Sequence, residues 1–347
     1  MTNYAHRPLS FCSYLRPQPW GSQRFANVLQ RPLAAGGRFG ESWEISGHAL
    51  HQSCLAEGPL AGQTLSQLWA KYRNQWYGDD APTLFPWLVK YLDCHEFLSV
   101  QVHPNDDLAL RYASGEGGKT EAWVVLDTDP SARIYAGFKD GTTIGEVTER
   151  TSDGTLADCL HSFVPRRGDC IYIPAGTVHS VGGGVLMMEV QQTSDATFRL
   201  FDWNRLGLDG SPRALHVDQS LSAIDWAAGP VNPVVPQAWN GDDGDLSGEL
   251  LIDCPYFQWK RFSLAETPAT LVGQSLAIWT LIDGEAILSG DGYEKRVRLG
   301  DTLLIPPMEF PMTWTPLRPC TLLRVDPPAS PLRRRHSHSQ RDTAAAH

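Results

Sequence analysis

The segment Gly168–Pro174 reads GDCIYIP, and the same pattern returns as GDTLLIP at Gly300–Pro306. Each copy opens with a Gly-Asp turn, continues as a short apolar strand and ends at a proline, which cannot extend the hydrogen-bonded ladder of a sheet. A repeated pattern of this kind indicates two copies of one structural unit. The sequence therefore predicts two small β-barrels in one chain.

Most of the remaining sequence consists of short apolar runs separated by Gly, Pro and Asp turns, which favours a mainly β fold. Two segments are exceptions. Residues 64–77 (TLSQLWAKYRNQWY) have apolar residues at helical spacing, and Thr64 with Gln67 forms a capping-box pattern. Residues 142–161 predict one or two short helices that are broken at Asp153-Gly154. The chain is therefore expected to carry a few short helices, attached to the first barrel.

Composition shifts predict the domain boundaries. Residues 1–228 form the expected first domain, the Pro-, Gly- and Asp-rich residues 229–247 a linker, residues 248–327 the second barrel and residues 328–347 a disordered tail. His179 lies 11 residues after Gly168, whereas the counterpart position in the second copy is Pro311. Because proline cannot bind a metal, we expect the second barrel to be metal-free.

Charge and cysteine content exclude some functions. The chain has 347 residues and a formal net charge of −10, which argues against a nucleic-acid surface. Its seven cysteines form no CxxC pair, which is typical of free thiols in a reducing compartment. No run approaches 18 apolar residues, and the first ten residues lack the apolar stretch of a signal peptide. We expect a soluble cytoplasmic protein.

The segment Leu98–Asp106 (LSVQVHPND) carries the first candidate metal ligands. Alternation along a β-strand places Ser99, Gln101 and His103 on one face. A glutamine and a histidine two residues apart can hold one metal ion, and Glu121 and His179 could supply the missing ligands. Histidine with oxygen ligands suits zinc or another borderline divalent ion.

Each of these residues also has a purely structural explanation. His103 could cap a strand end, His179 could stabilise a turn, and Glu121 could be a surface partner of Lys119. Their joint occurrence in strand and turn positions of one barrel favours the metal site.

Two further segments carry charged candidates. In Thr197–Arg205 (TFRLFDWNR), alternation puts Arg199 and Arg205 on one aromatic face, which favours an anion such as phosphate. Salt bridges to Asp195 and Asp202 are the alternative. Within Val185–Gln192 (VLMMEVQQ), Glu189 is expected to be partly buried, and it is a candidate general base or a partner of a lysine or arginine.

The segment Gly40–Ser46 (GESWEIS) predicts a strand with Glu41 and Trp43 on one face. From these residues alone, a functional role of Glu41 and an exposed acidic turn without a function are two equally supported interpretations.

With these motifs in place, the chain closely resembles the type I mannose-6-phosphate isomerases, which are zinc-dependent cupins, in their shorter bacterial and archaeal form. The resemblance extends from about residue 10 to residue 327. The matching segments are PWG at 19–21, GESWEIS at 40–46, FPWLVKYLD at 85–93, LSVQVHPND at 98–106, GGKTEAWVVLD at 117–127, the long segment at 168–205 and GDTLLIP at 300–306. The resemblance implies two cupin (jelly-roll) domains.

The resemblance also implies roles for individual residues. One Zn²⁺ per chain falls on Gln101, His103, Glu121 and His179, and the family's active-site arginine falls on Arg199. Ser99, Lys119 and Arg205 fall where family members contact the sugar phosphate, Glu189 and Glu41 match acidic pocket positions, and Trp20 matches a tryptophan near the pocket mouth. The chain departs from the family pattern at WGS (20–22) and at SGHAL (46–50).

The expected activity is the reversible conversion of D-mannose 6-phosphate to D-fructose 6-phosphate through a cis-enediol. Arg199 would stabilise the enediolate, and Glu189 is the first candidate for the proton transfer, with Lys119 or a metal-bound water behind it. The expected partner is a small sugar phosphate, and no binding to nucleic acid or membrane is expected. The chain is expected to be a monomer or a homodimer. The alternatives are a cupin oxygenase, which usually carries HxH where this chain has QxH, and a non-catalytic cupin that binds sugar phosphates.

Overall fold

The computed structural model describes residues 6–34, 36–241, 246–271, 273 and 275–329. Its chain divides into two compact units. The first comprises Ser10–Trp69 and Leu84–Val235, and the second comprises Ala70–Thr83, the described residues up to Leu9 and those from Pro236 onward. The domain boundaries expected from the sequence stay predictions, and the expected tail lies outside the described residues from residue 330 onward, as do residues 242–245 of the expected linker.

The described residues are mainly β, which confirms the predicted fold class. In chain order the strands are β1 (Leu9–Ser10), β2 (Tyr14–Ser22), β3 (Phe39–Ile45), β4 (Gly47–His48), β5 (His51–Gln52), β6 (Trp87–Cys94), β7 (Val100–Val102), β8 (Glu121–Thr128), β9 (Arg133–Phe138), β10 (Leu160–Phe163), β11 (Cys170–Ile173), β12 (His179–Gly182), β13 (Val185–Gln192), β14 (Phe198–Phe201), β15 (Gln237–Trp239), β16 (Gly248–Asp253), β17 (Gln258–Leu264), β18 (Ala269–Leu271), β19 (Ala277–Gly290), β20 (Tyr293–Arg298), β21 (Thr302–Ile305) and β22 (Met312–Asp326).

The α-helices are short, as expected: α1 (Arg24–Asn27), α2 (Leu65–Tyr77), α3 (Asp106–Tyr112), α4 (Ile144–Asp153) and α5 (Val217–Ala223). The predicted capping box of α2 is confirmed, because Thr64 and Gln67 exchange hydrogen bonds of 2.9 and 3.2 Å. The predicted break after α4 is also confirmed at Gly154, whose φ of 81° few other residues adopt. Among the described residues, no helix combines the length and apolar character needed to cross a membrane.

The first unit is built on two antiparallel sheets. One has the order β11-β8-β13-β6-β3-β2, the other has the order β10-β9-β12-β7-β14, and β4 and β5 form a separate pair. The two larger sheets pack through an apolar cluster to which both contribute, including Trp123 and Met187 from one and Ile134 and Val181 from the other. Their inner faces also carry the polar residues of the site.

Strand register aligns those polar residues in rows. Gln101 on β7 lies opposite His179 on β12 and opposite Arg199 on β14. In the other sheet, Glu189 on β13 lies opposite Lys90 on β6 and Trp123 on β8. Residues directly opposite each other in antiparallel strands share a face, so each sheet presents one continuous row of polar side chains.

The second unit contains a nine-stranded sheet in which β21, β19, β22, β17, β16 and β15 follow one another, with β1 beside β21. Its core includes Phe262, Trp279 and Trp314, each at most 1% exposed. The repeated sequence motif corresponds to β11 in the first unit and β21 in the second. The glycines that open the two copies, Gly168 and Gly300, have nearly identical φ values of 89° and 91°.

Candidate active site

The four residues expected to bind a metal lie together in the first unit. His103 Nε2 is 3.3 Å from Glu121 Oε2, and His179 Nε2 is 3.4 Å from Glu121 Oε1. Gln101 Nε2 is 3.1 Å from His179 Nε2. His103, Glu121 and His179 are each 1% exposed. Side chains that are widely separated in sequence thus converge on one buried point.

Hydrogen bonds fix both histidine rings. His103 Nδ1 donates to the backbone oxygen of Ala196, and His179 Nδ1 donates to that of Thr177, each at 2.9 Å. Burial lowers the pKa of both imidazoles, that of His103 to about 3, so both rings are neutral at physiological pH. The Nε2 atoms are therefore unprotonated and face Glu121, which is the arrangement that a metal ligand requires.

Lys119 supplies positive charge beside this cluster. Its Nζ lies 2.9 Å from Glu121 Oε2 and 3.1 Å from His103 Nε2. Burial alone would raise the pKa of Glu121, but Lys119 together with His103 and His179 outweighs burial and holds that pKa well below its usual range. Glu121 is therefore ionised although it is buried. It does pair with Lys119, but in the interior and not on the surface as the alternative interpretation assumed.

Glu189 is the second buried carboxyl group, and it is 3% exposed. It accepts a hydrogen bond from Trp123 Nε1 at 3.1 Å, and its other oxygen lies 3.5 Å from Lys90 Nζ. Burial, reinforced by the charge of Glu121, raises the pKa of Glu189 to about 7. Lys90 is the partner that a carboxylate on this strand was expected to need.

A cavity of about 210 Å³ lies beside these groups, and of the four expected metal ligands Gln101 alone is among the described residues that line it. Seven of the residues singled out from the sequence line it: Trp20, Glu41, Ser99, Gln101, Lys119, Glu189 and Arg199. Glu41 lies within β3, is 7% exposed and accepts a hydrogen bond from Trp43 Nε1 at 2.8 Å, so the exposed acidic turn considered for it is wrong. Sequence reasoning did not assign the other polar lining residues, Arg16, Gln18, Lys90, Asp195, Thr197 and Arg213.

The prediction that Arg199 and Arg205 share a strand face is wrong. Strand β14 ends at Phe201, and Trp203 and Asn204 have φ values of 56° and 53°, which ends the alternation. Arg205 instead donates to Asp202 at 2.8 Å and to the backbone oxygen of Phe97, and it is not among the described residues that line the cavity. Arg205 therefore forms the salt bridge to Asp202 that was considered as the alternative to anion binding.

Arg199, in contrast to Arg205, lines the cavity. Its Nη1 donates to the backbone oxygen of Ala214 at 2.8 Å, and no carboxylate within the described part of the chain forms an ion pair with it. Burial and then the nearby Arg213 guanidinium lower the pKa of Arg199. Arg213 also lines the cavity and donates two hydrogen bonds to Asp202, at 2.7 and 2.6 Å. Two arginine side chains in one cavity wall favour binding of an anion.

Only one of the missed residues had a clear sequence signal. Lys90 is a lysine in the middle of the completely buried strand WLVKYLDC, where a charged side chain requires a partner. Arg213 lies in a loop twelve residues after β14, and nothing local in its sequence indicates the cavity.

Comparisons with known proteins agree on one family. A model described as "Phosphomannose isomerase type I, catalytic domain" matches residues 15–124. The mannose-6-phosphate isomerase ManA of Bacillus subtilis (strain 168) is 33% identical over 299 residues, which cover 86% of this chain and 93% of that protein.

Solved structures give the same result. The crystal structure of the mannose 6-phosphate isomerase from Bacillus subtilis matches with a TM-score of 0.84 and 27% identity, over 92% of this chain and 99% of that one. A zinc-bound mannose 6-phosphate isomerase matches with a TM-score of 0.72 over 92% and 99% of the two chains, and at 15% identity it supports the fold alone. Taken with the sequence identity over most of a relative's length, these matches show that the chain belongs to the type I phosphomannose isomerases.

Proposed function

We propose that this chain is a mannose-6-phosphate isomerase that reversibly converts D-mannose 6-phosphate to D-fructose 6-phosphate. The observation that carries the proposal is the cluster of His103, Glu121 and His179 beside a cavity whose wall contains Arg199. Such a cluster suits polarisation of adjacent sugar oxygens, and an arginine without a carboxylate partner in the described chain suits an anionic substrate. The substrate follows from the names of the relatives, which act on mannose 6-phosphate.

We propose one Zn²⁺ per chain, held by Gln101, His103, Glu121 and His179. One ligand atom from each of His103, Glu121 and His179 lies within 4.8 Å of the others, so these groups can hold a single ion. Gln101 lies beside His179 in the same cluster. A half-turn of the Gln101 amide brings its oxygen to the position of its nitrogen. When bound, zinc would stabilise negative charge on the sugar oxygens O1 and O2. Two imidazoles with a carboxylate and an amide oxygen are ligands that suit zinc.

Glu189 is the residue that we propose to move the proton. In the direction of fructose 6-phosphate, the reaction transfers a proton from C2 to C1, while a second proton passes from O2 to O1. Trp123 and Lys90 hold the Glu189 carboxyl group in place, and a pKa of about 7 allows it to accept a proton and return it near neutral pH. Lys119 is the second candidate, but its ion pair with Glu121 raises its pKa and favours its protonated form.

The cationic wall is proposed to bind the substrate anion. Arg199 would stabilise the enediolate. Arg213 is paired with Asp202, as Arg205 is, but it lines the cavity and Arg205 does not, so Arg213 would take the role in phosphate binding that was predicted for Arg205. Ser99 and Lys119 stay predicted sugar-phosphate contacts, and Glu41 and Trp20 stay predicted pocket residues; all four line the cavity.

A coupled assay for fructose 6-phosphate, with mannose 6-phosphate as substrate, tests the function. We expect activity that a chelator abolishes and that added zinc restores. A zinc-loaded protein that forms no fructose 6-phosphate, or activity that survives complete metal removal, would contradict the proposal. Oxygen uptake measured in parallel separates the isomerase from the oxygenase alternative.

We also propose a cytoplasmic location and a monomeric or homodimeric state. The location is supported by the cysteines, all seven of which are free thiols.

A further inference from the structure

His48 is a buried histidine outside the cavity, on the short strand β4, and it is 6% exposed. Its Nδ1 accepts a hydrogen bond from the backbone N–H of Leu50 at 3.3 Å. The ring proton is therefore on Nε2, which donates to the carboxylate of Glu116 at 3.0 and 3.2 Å. The ring also meets Trp43 edge-on, with centroids 5.8 Å apart. These contacts hold the Nε2–H in one direction, toward Glu116.

Glu116 connects this histidine to another part of the first unit. Its Oε2 accepts a hydrogen bond from the backbone N–H of Asp195 at 2.9 Å. Beside it, the hydroxyl group of Ser194 donates to the backbone oxygen of Gly117 at 2.8 Å. Residues 116–117 therefore hold residues 194–195, which belong to the connection between β13 and β14.

That connection carries two features of the site. The Asp195 carboxylate lines the cavity and accepts a hydrogen bond from Arg16 Nη1 at 3.1 Å. The next residue, Ala196, accepts the hydrogen bond that fixes the ring of His103. The same short segment thus orients an ion pair of the cavity wall and one of the proposed metal ligands.

We propose that His48 and Glu116 are positioning residues that hold the connection 194–196, and through it the His103 ring and the Arg16–Asp195 pair. Neither side chain is among the described residues that line the cavity, so neither is expected to touch the substrate. His48 belongs to the segment SGHAL, where the sequence departs from the family pattern. The substrate part of this inference rests on the proposed function, whereas its metal part requires only that the site binds zinc.

Zinc affinity tests the inference without an activity measurement. Metal-free protein is titrated with zinc against a chromophoric chelator, for wild type, H48A, H48Q and the control H51A. His51 lies on the neighbouring strand and also meets Trp43 edge-on, at 5.2 Å. We expect zinc affinity to fall about tenfold in H48A, as for other partners that orient metal ligands. H48Q should recover most of the affinity, since its amide can donate to Glu116, and H51A should stay close to wild type.

Kinetics add a second measurement. We expect H48A to raise the KM for mannose 6-phosphate more than it lowers kcat, because the Arg16–Asp195 pair lines the cavity. H48A with unchanged zinc affinity and unchanged KM would overturn the inference. A wild-type protein without isomerase activity would contradict the proposed function instead, and the zinc titration would still test the positioning role.

A double-mutant comparison tests the order of the contacts. If His48 acts through Glu116, H48A/E116A should bind zinc as E116A does, whereas independent, additive losses would overturn the inference. Should H48A fail to fold, E116A and E116Q carry the same test, because only glutamine keeps an acceptor for the Asp195 amide. Weaker zinc binding in E116A than in E116Q supports the inference, and equal binding overturns it.

Discussion

Arg199 and Arg205 show how the partners of a residue determine its role. Arg205 is paired with Asp202, whereas the Arg199 guanidinium donates to the backbone oxygen of Ala214 and has no ion pair in the described part of the chain. We predict that Arg199→Ala lowers kcat by about 10²–10³-fold, with a smaller effect on KM, because the guanidinium stabilises charge that develops in the transition state. Steady-state kinetics check this prediction.

The matched control is Arg205→Ala. It should keep kcat within a few-fold of wild type and lower the Tm, because Asp202 and the Phe97 carbonyl each lose a donor. Turnover that is unchanged in the Arg199 variant would remove this residue from the chemistry.

The proposed role of Glu189 as the base predicts a pH dependence of the reaction. A base must be deprotonated to act, so kcat/KM should rise with pH through the pKa of this group. Burial and the charge of Glu121 raise that pKa to about 7, and the positive charge of bound zinc would lower it, so the acid limb should lie at or below about pH 7. We predict that Glu189→Gln loses this limb together with the exchange of the C2 proton with solvent, measured by NMR in deuterium oxide. Retained exchange would exclude Glu189 as the base.

Single residues also show how far the sequence alone could go. Gln101 and His103 were accessible because strand alternation is a local property, and Glu121 and His179 were added as metal-binding residue types in strand and turn positions of the same barrel. Lys90 lies in the same cavity because the register of β6 and β13 places it opposite Glu189, and Arg213 lies there because a loop carries it to the cavity wall. The buried strand around Lys90 indicated that its charge needs a partner, but the position of Lys90 and of Arg213 in the cavity depends on contacts between distant parts of the chain.

Among the structural elements, the two copies of the repeat make a direct test possible. Gly168 and Gly300 each open a copy with a φ near 90°, which disfavours any residue with a Cβ. We predict that alanine at either position lowers the free energy of unfolding by about 1–2 kcal/mol, measured by urea denaturation. Gly229→Ala is the control, because its φ is not positive and no atom lies within 4 Å of an added Cβ. A Gly168 or Gly300 variant as stable as wild type would contradict the prediction.

Helices and strands differed in how well the sequence predicted them. α2 and α4 were predicted because their caps, Thr64 and Gly154, are adjacent to the helices they end. β14 was predicted too long because Trp203 takes a positive φ, which is unusual for a large residue. Its indole donates to the backbone oxygen of Leu98 at 2.6 Å and packs beside Phe97, and these tertiary contacts override the local alternation.

For the whole molecule, net charge and local charge have opposite signs. The chain carries −10, yet the described lining of the cavity has five cationic side chains (Arg16, Lys90, Lys119, Arg199 and Arg213) and three carboxylates (Glu41, Glu189 and Asp195). Composition therefore excluded a nucleic-acid surface but could not reveal a site for a small anion. A concave site with low-dielectric walls concentrates its local field, so a sugar phosphate can bind an acidic protein.

Zinc should also stabilise the whole fold, because its proposed ligands come from β7, its flanking residues, β8 and β12 and are buried in one unit. A ligand present at 100 times its Kd adds about 2.7 kcal/mol to the free energy of unfolding, which for a domain of this size corresponds to a rise in Tm of about 5–10 °C. We predict that a chelator lowers the Tm by this amount in wild type and in Glu96→Ala, whose carboxylate is exposed and paired with Arg38. Glu121→Ala should contain no zinc by elemental analysis and show no response to the chelator. Stoichiometric zinc in that variant would contradict the ligand role of Glu121, because the other three side chains would then suffice to hold the metal.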